Sequence, residues 1–289
     1  GEIMLQVLTM AVAVAALLAA CQPAAVTPAA APVELYALDC GRISFTDTAP
    51  FADDGSFNGV AREFVDPCYL IRHPSGDLIW DLGFPDAVAD MPEGMRIAAL
   101  NAQVTVPVKL ADQLAQLNLT PADIEFVAIS HSHGDHVGNA ALFAPTATWI
   151  VDADERAHMF RDEARQSQEF AMYAPLESAR TTLIEGDARH DVFGDGSVTI
   201  IQAPGHTPGH AILLVRTANS GAVLLTGDMF HMAESRERRT VPAFNADRAQ
   251  TLESMDLVET IAAEENARVI RQHVPEDMDA LPRFPEPLR

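Results

Sequence analysis

The segment Ser130-His131-Ser132-His133-Gly134-Asp135-His136 gathers three imidazoles and a carboxylate directly after Phe126-Val127-Ala128-Ile129. That apolar run is typical of a strand buried on both faces. A loop leaving such a strand can send alternate side chains into one cleft, His131 and His133 toward one metal ion, Asp135 and His136 toward another. Three further candidates occupy matching positions. These are His206 in Ala203-Pro204-Gly205-His206-Thr207-Pro208-Gly209-His210, Asp228 in Leu225-Thr226-Gly227-Asp228, and His273 after Val269-Ile270-Arg271-Gln272. Each follows an expected strand, where α/β layers display groups from separate segments. The set can hold two four-coordinate zinc ions if one carboxylate and one solvent oxygen bridge them. Such a site keeps a net positive charge, holds hydroxide near neutral pH and attracts a developing oxyanion.

The elements that must position these residues are short apolar runs separated by turn signals. Glu34 to Leu38, Tyr69 to Arg72 and Asp77 to Trp80 read as strands of a meander, with His73-Pro74-Ser75-Gly76 as a turn. The spacing of Leu110, Leu114 and Leu117 predicts a helix from Val106 to Leu117. Thr120-Pro121-Ala122-Asp123 reads as a capped turn or short helix start. Strands and helices then alternate: a strand Thr148 to Val151, a charged helix Ala153 to about Gln166, and strands Val198 to Gln202, Ile212 to Val215 and Val223 to Leu225. The last two form a hairpin through Thr217-Ala218-Asn219-Ser220-Gly221. A long helix is predicted from Ala246 to Glu264 with Asn245 as N-cap, before a closing strand at Val269 and Ile270. The mix implies two sheets with helices outside them.

Composition narrows the partners. With 19 basic and 41 acidic residues the chain carries a formal charge of −22, and Lys109 is its sole lysine. That charge opposes nucleic acid and anionic membrane surfaces as partners. Met4 to Ala20 is apolar but short for a transmembrane span, and reads as an export signal. Its ending, Leu18-Ala19-Ala20-Cys21, resembles a bacterial lipobox, which implies lipidation of Cys21. Residues 1–21 are therefore expected to be a lipoprotein-type signal, 22–33 an Ala/Pro linker, and 34–289 one domain. The expected location is the periplasm, tethered by lipid to a bacterial outer membrane. Cys40 and Cys68 are then either a disulfide or two separate buried thiols.

The series His131-x-His133-x-Asp135-His136, then His206, Asp228 and His273 in order, resembles the metallo-β-lactamase-fold hydrolases across most of the chain. The resemblance implies an α/β, four-layer αββα sandwich with both metals at one edge of the sheets. It assigns His131, His133 and His206 to one zinc, Asp135, His136 and His273 to the other, and Asp228 as the bridge. Asp81, in Trp80-Asp81-Leu82-Gly83, matches an aspartate that orients a ligand histidine, although Leu82 replaces the usual Thr. His210 is expected to be a structural neighbour, and His73, His158 and His190 to be solvated.

Within that family, β-lactamases place Cys or Ser where this chain has Asp228. Glyoxalase II adds a helical domain for which the short tail after His273 leaves no room, and nucleases must bind polyanions. The segments Leu35 to Arg42, Arg239 to Asn245 and Ser254-Met255 look instead like the N-acyl-homoserine lactone lactonases. That branch implies opening of a small neutral acyl lactone by a metal-bridging hydroxide, with Asp135 passing a proton to the leaving oxygen. His231 stands where well-known members carry Tyr, and is assigned as an oxyanion-side donor. Met229, Phe230, Phe84 and Phe244 are the expected lining of the acyl groove. The alternatives are an exported β-lactamase, a broader lactonase or esterase, and a non-catalytic metal-binding lipoprotein.

Overall fold

The computed structural model describes residues 32–186 and 189–289. The expected signal, Cys21 and nearly all of the linker lie outside the described residues. Among the described residues, thirteen strands form two sheets. The larger contains β1 (Glu34–Phe45), β2 (Arg62–His73), β3 (Gly76–Trp80), β4 (Met95–Ile97), β5 (Ala102–Thr105), β6 (Phe126–Ala128), β7 (Thr148–Asp152) and β8 (Thr181–Ile184), in the order β4-β5-β1-β2-β3-β6-β7-β8. The smaller contains β9 (His190–Asp191), β10 (Val198–Gln202), β11 (Ala211–Thr217), β12 (Gly221–Leu225) and β13 (Arg268–Ile270), in the order β13-β12-β11-β10-β9.

Alternation along the strands builds three apolar layers. Between the sheets, Leu35, Ile71, Trp80 and Ile150 meet Ile200, Leu213, Val215 and Leu225. Ile212, Leu214 and Leu224 point the opposite way, toward Met255, Val258 and Ile261 of the long helix Arg248–Glu264. Leu38, Leu70, Ile79, Val127 and Trp149 pack outward against Leu110, Leu114, Ala140, Phe143 and Tyr173, which come from short helices. This is the four-layer αββα sandwich. Truncating a fully buried residue such as Leu213 to Ala should cost about 2–5 kcal/mol through lost transfer energy and a cavity.

Several local expectations are corrected. The helix predicted from Val106 starts at Leu110, because the Asp86 carboxylate, from a distant segment, accepts from the Leu110 and Ala111 N–H groups. The charged helix from Ala153 stops at Met159 rather than Gln166. The long helix is capped by Asp247, which accepts from the Gln250 N–H, not by Asn245. Strands β4, β5, β8 and β9 have no counterpart in the expected set. Cys40 and Cys68 are joined by a disulfide with Cα atoms 5.7 Å apart. Among the described residues, no helix is long and apolar enough to cross a membrane.

Candidate metal centre

Every residue of the expected ligand set follows the C-terminal end of a strand, and all seven converge on one edge of the sandwich. The segment after β6 carries His131 and His133 on a loop and Asp135 and His136 on the short helix Gly134–Val137 that follows; the β10–β11 connection carries His206. Asp228 follows β12, and His273 follows β13. The sheets meet here, where the Ala211 N–H donates to the Ser130 carbonyl and the Val65 N–H to the His273 carbonyl.

The donor atoms fall into two groups. His131 Nε2 lies 2.9 Å from His133 Nδ1 and 3.2 Å from His206 Nε2, and His206 Nε2 is 3.1 Å from His133 Nδ1. Asp228 Oδ2 completes this group at 3.5 Å from His131 and 3.4 Å from His206. In the second group, His136 Nε2 and His273 Nε2 each lie 3.7 Å from an Asp135 oxygen. Asp228 Oδ1 stands 3.2 Å from His136 Nε2 and 2.9 Å from His273 Nε2. One carboxylate thus presents an oxygen to each group.

The far sides of the rings decide what these close contacts mean. His206 donates through Nδ1 to Asn245 Oδ1 at 2.8 Å, and His273 through Nδ1 to the Val65 carbonyl at 2.9 Å. His136 donates through Nδ1 to Asp81 Oδ2 at 3.0 Å, and His131 through Nδ1 to Ser130 Oγ at 3.0 Å. With Nδ1 protonated, Nε2 of His131 and of His206 carries only a lone pair in the neutral ring. Lone pairs facing one another at about 3 Å repel unless a cation lies between them. His136 Nε2 and Asp228 Oδ1 are moreover buried without a hydrogen-bond partner. The donor set therefore fits divalent metal in both groups, and imidazole with carboxylate suits zinc among other such ions.

Electrostatics separate the two halves. Burial, aided by neighbouring imidazoles, holds His131 well below the usual range and lowers His133 to about 3, so these rings stay neutral. Burial also acts to lower His136 and His273, but the Asp228 carboxylate and its neighbours outweigh it, raising His273 to about 9 and His136 well above its ordinary value. Burial opposes ionisation of Asp228, yet His273, His136 and His231 hold it well below the carboxylate range.

Asp81 is wholly buried, with Oδ1 accepting from the Ser130 N–H at 2.6 Å and Oδ2 from Ser130 Oγ and His136. Its backbone is left-handed at φ 57°, a conformation Asp tolerates. His210 stays outside both groups: it donates through Nδ1 to the Ala203 carbonyl, accepts the Asp228 N–H on Nε2, and burial lowers it to about 3. His231 borders the cleft with Nε2 3.0 Å from Asp228 Oδ2.

A cleft of 720 Å³ opens beside the two groups. Phe84 and Phe244 line it as expected, but Met229 and Phe230 do not: they turn away into the core beneath the long helix. Phe45, Phe51 and Phe64 take their place, with Ile97 and Leu100 of the β4–β5 segment packed against the same cluster. The three remaining histidines are not freely solvated. His73 stacks on Phe193 with ring centroids 4.1 Å apart, and His158 and His190 are half-buried.

Three polar residues absent from the expected set also lie close to the site. Asn245, expected as a helix cap, orients His206 instead. Glu155 is buried behind the ligand loops. Asp66 is wholly buried with neither carboxylate oxygen hydrogen-bonded, and burial together with the charge of Asp135 raises it far above the carboxylate range. Only a charged residue within the otherwise apolar run of residues 64–71 signals Asp66 in the sequence.

Comparison with known proteins agrees with this architecture. Residues 62–273 match the metallo-beta-lactamase superfamily. The N-acyl homoserine lactonase AttM of Rhizobium radiobacter is 33% identical over 235 residues, covering 79% of this chain and 89% of that protein. An N-acyl homoserine lactonase from a Bacillus species is 29% identical over 223 residues, covering 76% of this chain and 85% of its own length. Among solved structures, an N-acyl homoserine lactone hydrolase with the product N-hexanoyl-L-homoserine at its catalytic metal centre superposes with a TM-score of 0.74. That pair shares 25% identity over 89% of this chain and 99% of the other. The chain therefore belongs to the metallo-β-lactamase superfamily, in the family that contains the AttM-type N-acyl homoserine lactonases.

Proposed function

We propose that this protein is an N-acyl-homoserine lactonase that hydrolyses the lactone ring at a two-ion zinc centre. The observation that carries the proposal is the position of Asp228, whose two oxygens each join a separate group of imidazoles at the foot of an apolar-walled cleft. His131, His133 and His206 would hold one ion, Asp135, His136 and His273 the other, with Asp228 shared. Divalent ions supply Lewis acidity there, polarising a carbonyl and making water nucleophilic near neutral pH.

The protein's own groups supply position and proton transfer. The aromatic wall of Phe45, Phe51, Phe64, Phe84 and Phe244 accommodates an acyl chain and excludes water from one side of the lactone. His231 would act as the oxyanion-side donor in place of a tyrosine hydroxyl by turning its Nε2–H from Asp228 Oδ2, 3.0 Å away, to the substrate oxygen. Asp135, whose side chain is 18% exposed, reaches the leaving-group side. Water adds its oxygen to the carbonyl carbon, the ring C–O bond breaks, and Asp135 relays a proton to the ring oxygen, giving the open hydroxy acid.

Export to an oxidising compartment, with Cys21 as lipid anchor, is part of the same proposal, and the Cys40–Cys68 disulfide supports it. Parallel assays of an N-acyl-homoserine lactone, a simple γ-lactone, a chromogenic cephalosporin and an aryl ester, alongside metal analysis, test the function. Acyl-lactone hydrolysis by protein carrying about two zinc-like ions per chain is expected. Preference for the cephalosporin, or full activity without metal, overturns it.

A further inference from the structure

Glu155 lies on the helix Ala153–Met159, is 1% exposed, and hydrogen-bonds through its side chain to Ser132, Thr207 and Gly209 rather than to a ligand residue. Its Oε1 accepts from the Ser132 N–H at 2.8 Å, between His131 and His133. Its Oε2 accepts from Thr207 Oγ1 at 2.7 Å and from the Gly209 N–H at 3.0 Å, immediately after His206. One carboxylate thus spans two loops that are distant in sequence and together supply every imidazole of the first group. The helix itself is anchored. Asp152 caps it through the Asp154 and Glu155 N–H groups and also bonds Gln202 at the end of β10. Gly209 is pressed so close that a Cβ there would lie 2.3 Å from the Glu155 nitrogen.

We propose that Glu155 is a positioning residue for the three-histidine half of the centre, holding the His131–His133 loop and the His206 loop in fixed register. The inference rests on the metal-centre reading above. A carboxylate only accepts hydrogen bonds, and all three neighbours donate, so the pairing is complete only with two oxygens at this span. Glutamine has the same shape but one oxygen, and its NH₂ must face one of the loop donors. Glu155→Gln therefore releases one loop without emptying the space. His136 and His273 are held instead by Asp81 and the Val65 carbonyl, so the second group is independent of this clamp.

The test is Zn²⁺ titration of metal-stripped full-length protein against a competing chelator, with Co²⁺ absorption spectra as a second readout. Wild type is expected to take up two ions. In Glu155→Gln one of them should bind about 10- to 100-fold more weakly, with a changed Co²⁺ spectrum for that ion alone. Equal affinity for both ions, with only a lower unfolding temperature, overturns the clamp and leaves the metal centre standing. Wild-type protein that takes up no Zn²⁺ overturns the metal centre itself. Should Glu155→Gln fail to fold, Thr207→Val removes a single donor from Oε2. Weaker Zn²⁺ binding in that variant supports the clamp, and unchanged binding overturns it.

Discussion

Asp81 Oδ2 and His136 Nδ1 face each other at 3.0 Å with neither residue exposed, so the ring that serves the second donor group is aimed by a carboxylate one strand away. The same carboxylate holds Ser130, which in turn accepts from His131. Asp81→Asn keeps the left-handed backbone accessible while weakening this charge-assisted contact. Zinc affinity at the second group should fall about 10- to 100-fold, read by chelator competition. Unchanged affinity would show that His136 is oriented without Asp81.

Asp228→Ala deletes the oxygens that face both groups. One of two ions should be lost from the purified protein, and kcat/KM for an acyl lactone should drop by more than about 100-fold, roughly 3 kcal/mol of barrier. Metal analysis and activity are to be measured on the same preparation.

His231→Phe preserves a ring against Phe51 and Phe244 but removes the nitrogen facing Asp228. If the imidazole serves the oxyanion, kcat should fall about 100-fold while zinc content changes little. Loss of zinc in parallel with turnover would assign the ring to holding Asp228.

Phe244 stands at the cleft rim, 43% exposed. Phe244→Ala should raise KM for long-chain acyl lactones about fivefold, an effect of about 1 kcal/mol, and leave a simple γ-lactone nearly unaffected. An equal effect on both substrates would remove Phe244 from the acyl groove.

Burial raises Asp152 to about 6, against an ordinary value of 3.8, despite the two N–H groups that it caps. Between those values the folded protein keeps a proton that the unfolded chain has released. Its contribution to stability therefore falls as pH rises through that window and is flat above it. Asp152→Asn should remove that slope, visible as a wild-type-minus-variant difference in denaturation midpoint that changes from about pH 4 to 6 and then levels.

The ligand residues were readable because each sits directly after a strand in a dense, locally spaced signal. Their supports were not. Glu155 in a charged helix looks like any solvated glutamate, and Asn245 before a helix looks like a cap, since each acts through a loop distant in sequence. The wall of the cleft was hidden for the same reason. Strand β4 pairs with β5 and β5 with β1, and Met229 and Phe230 face the core just after the backbone leaves helical geometry at Asp228.

Four donors come from the larger sheet and three from the smaller, so an ion in either group would be shared by the two halves of the sandwich. Such an ion works as a rivet as well as a reagent. It closes a loop that runs from the sixth strand to the twelfth or the thirteenth, and it binds the folded chain far better than the unfolded one. The protein's lifetime would then follow the supply of metal around it, and a chelator would loosen the fold along with stopping the chemistry.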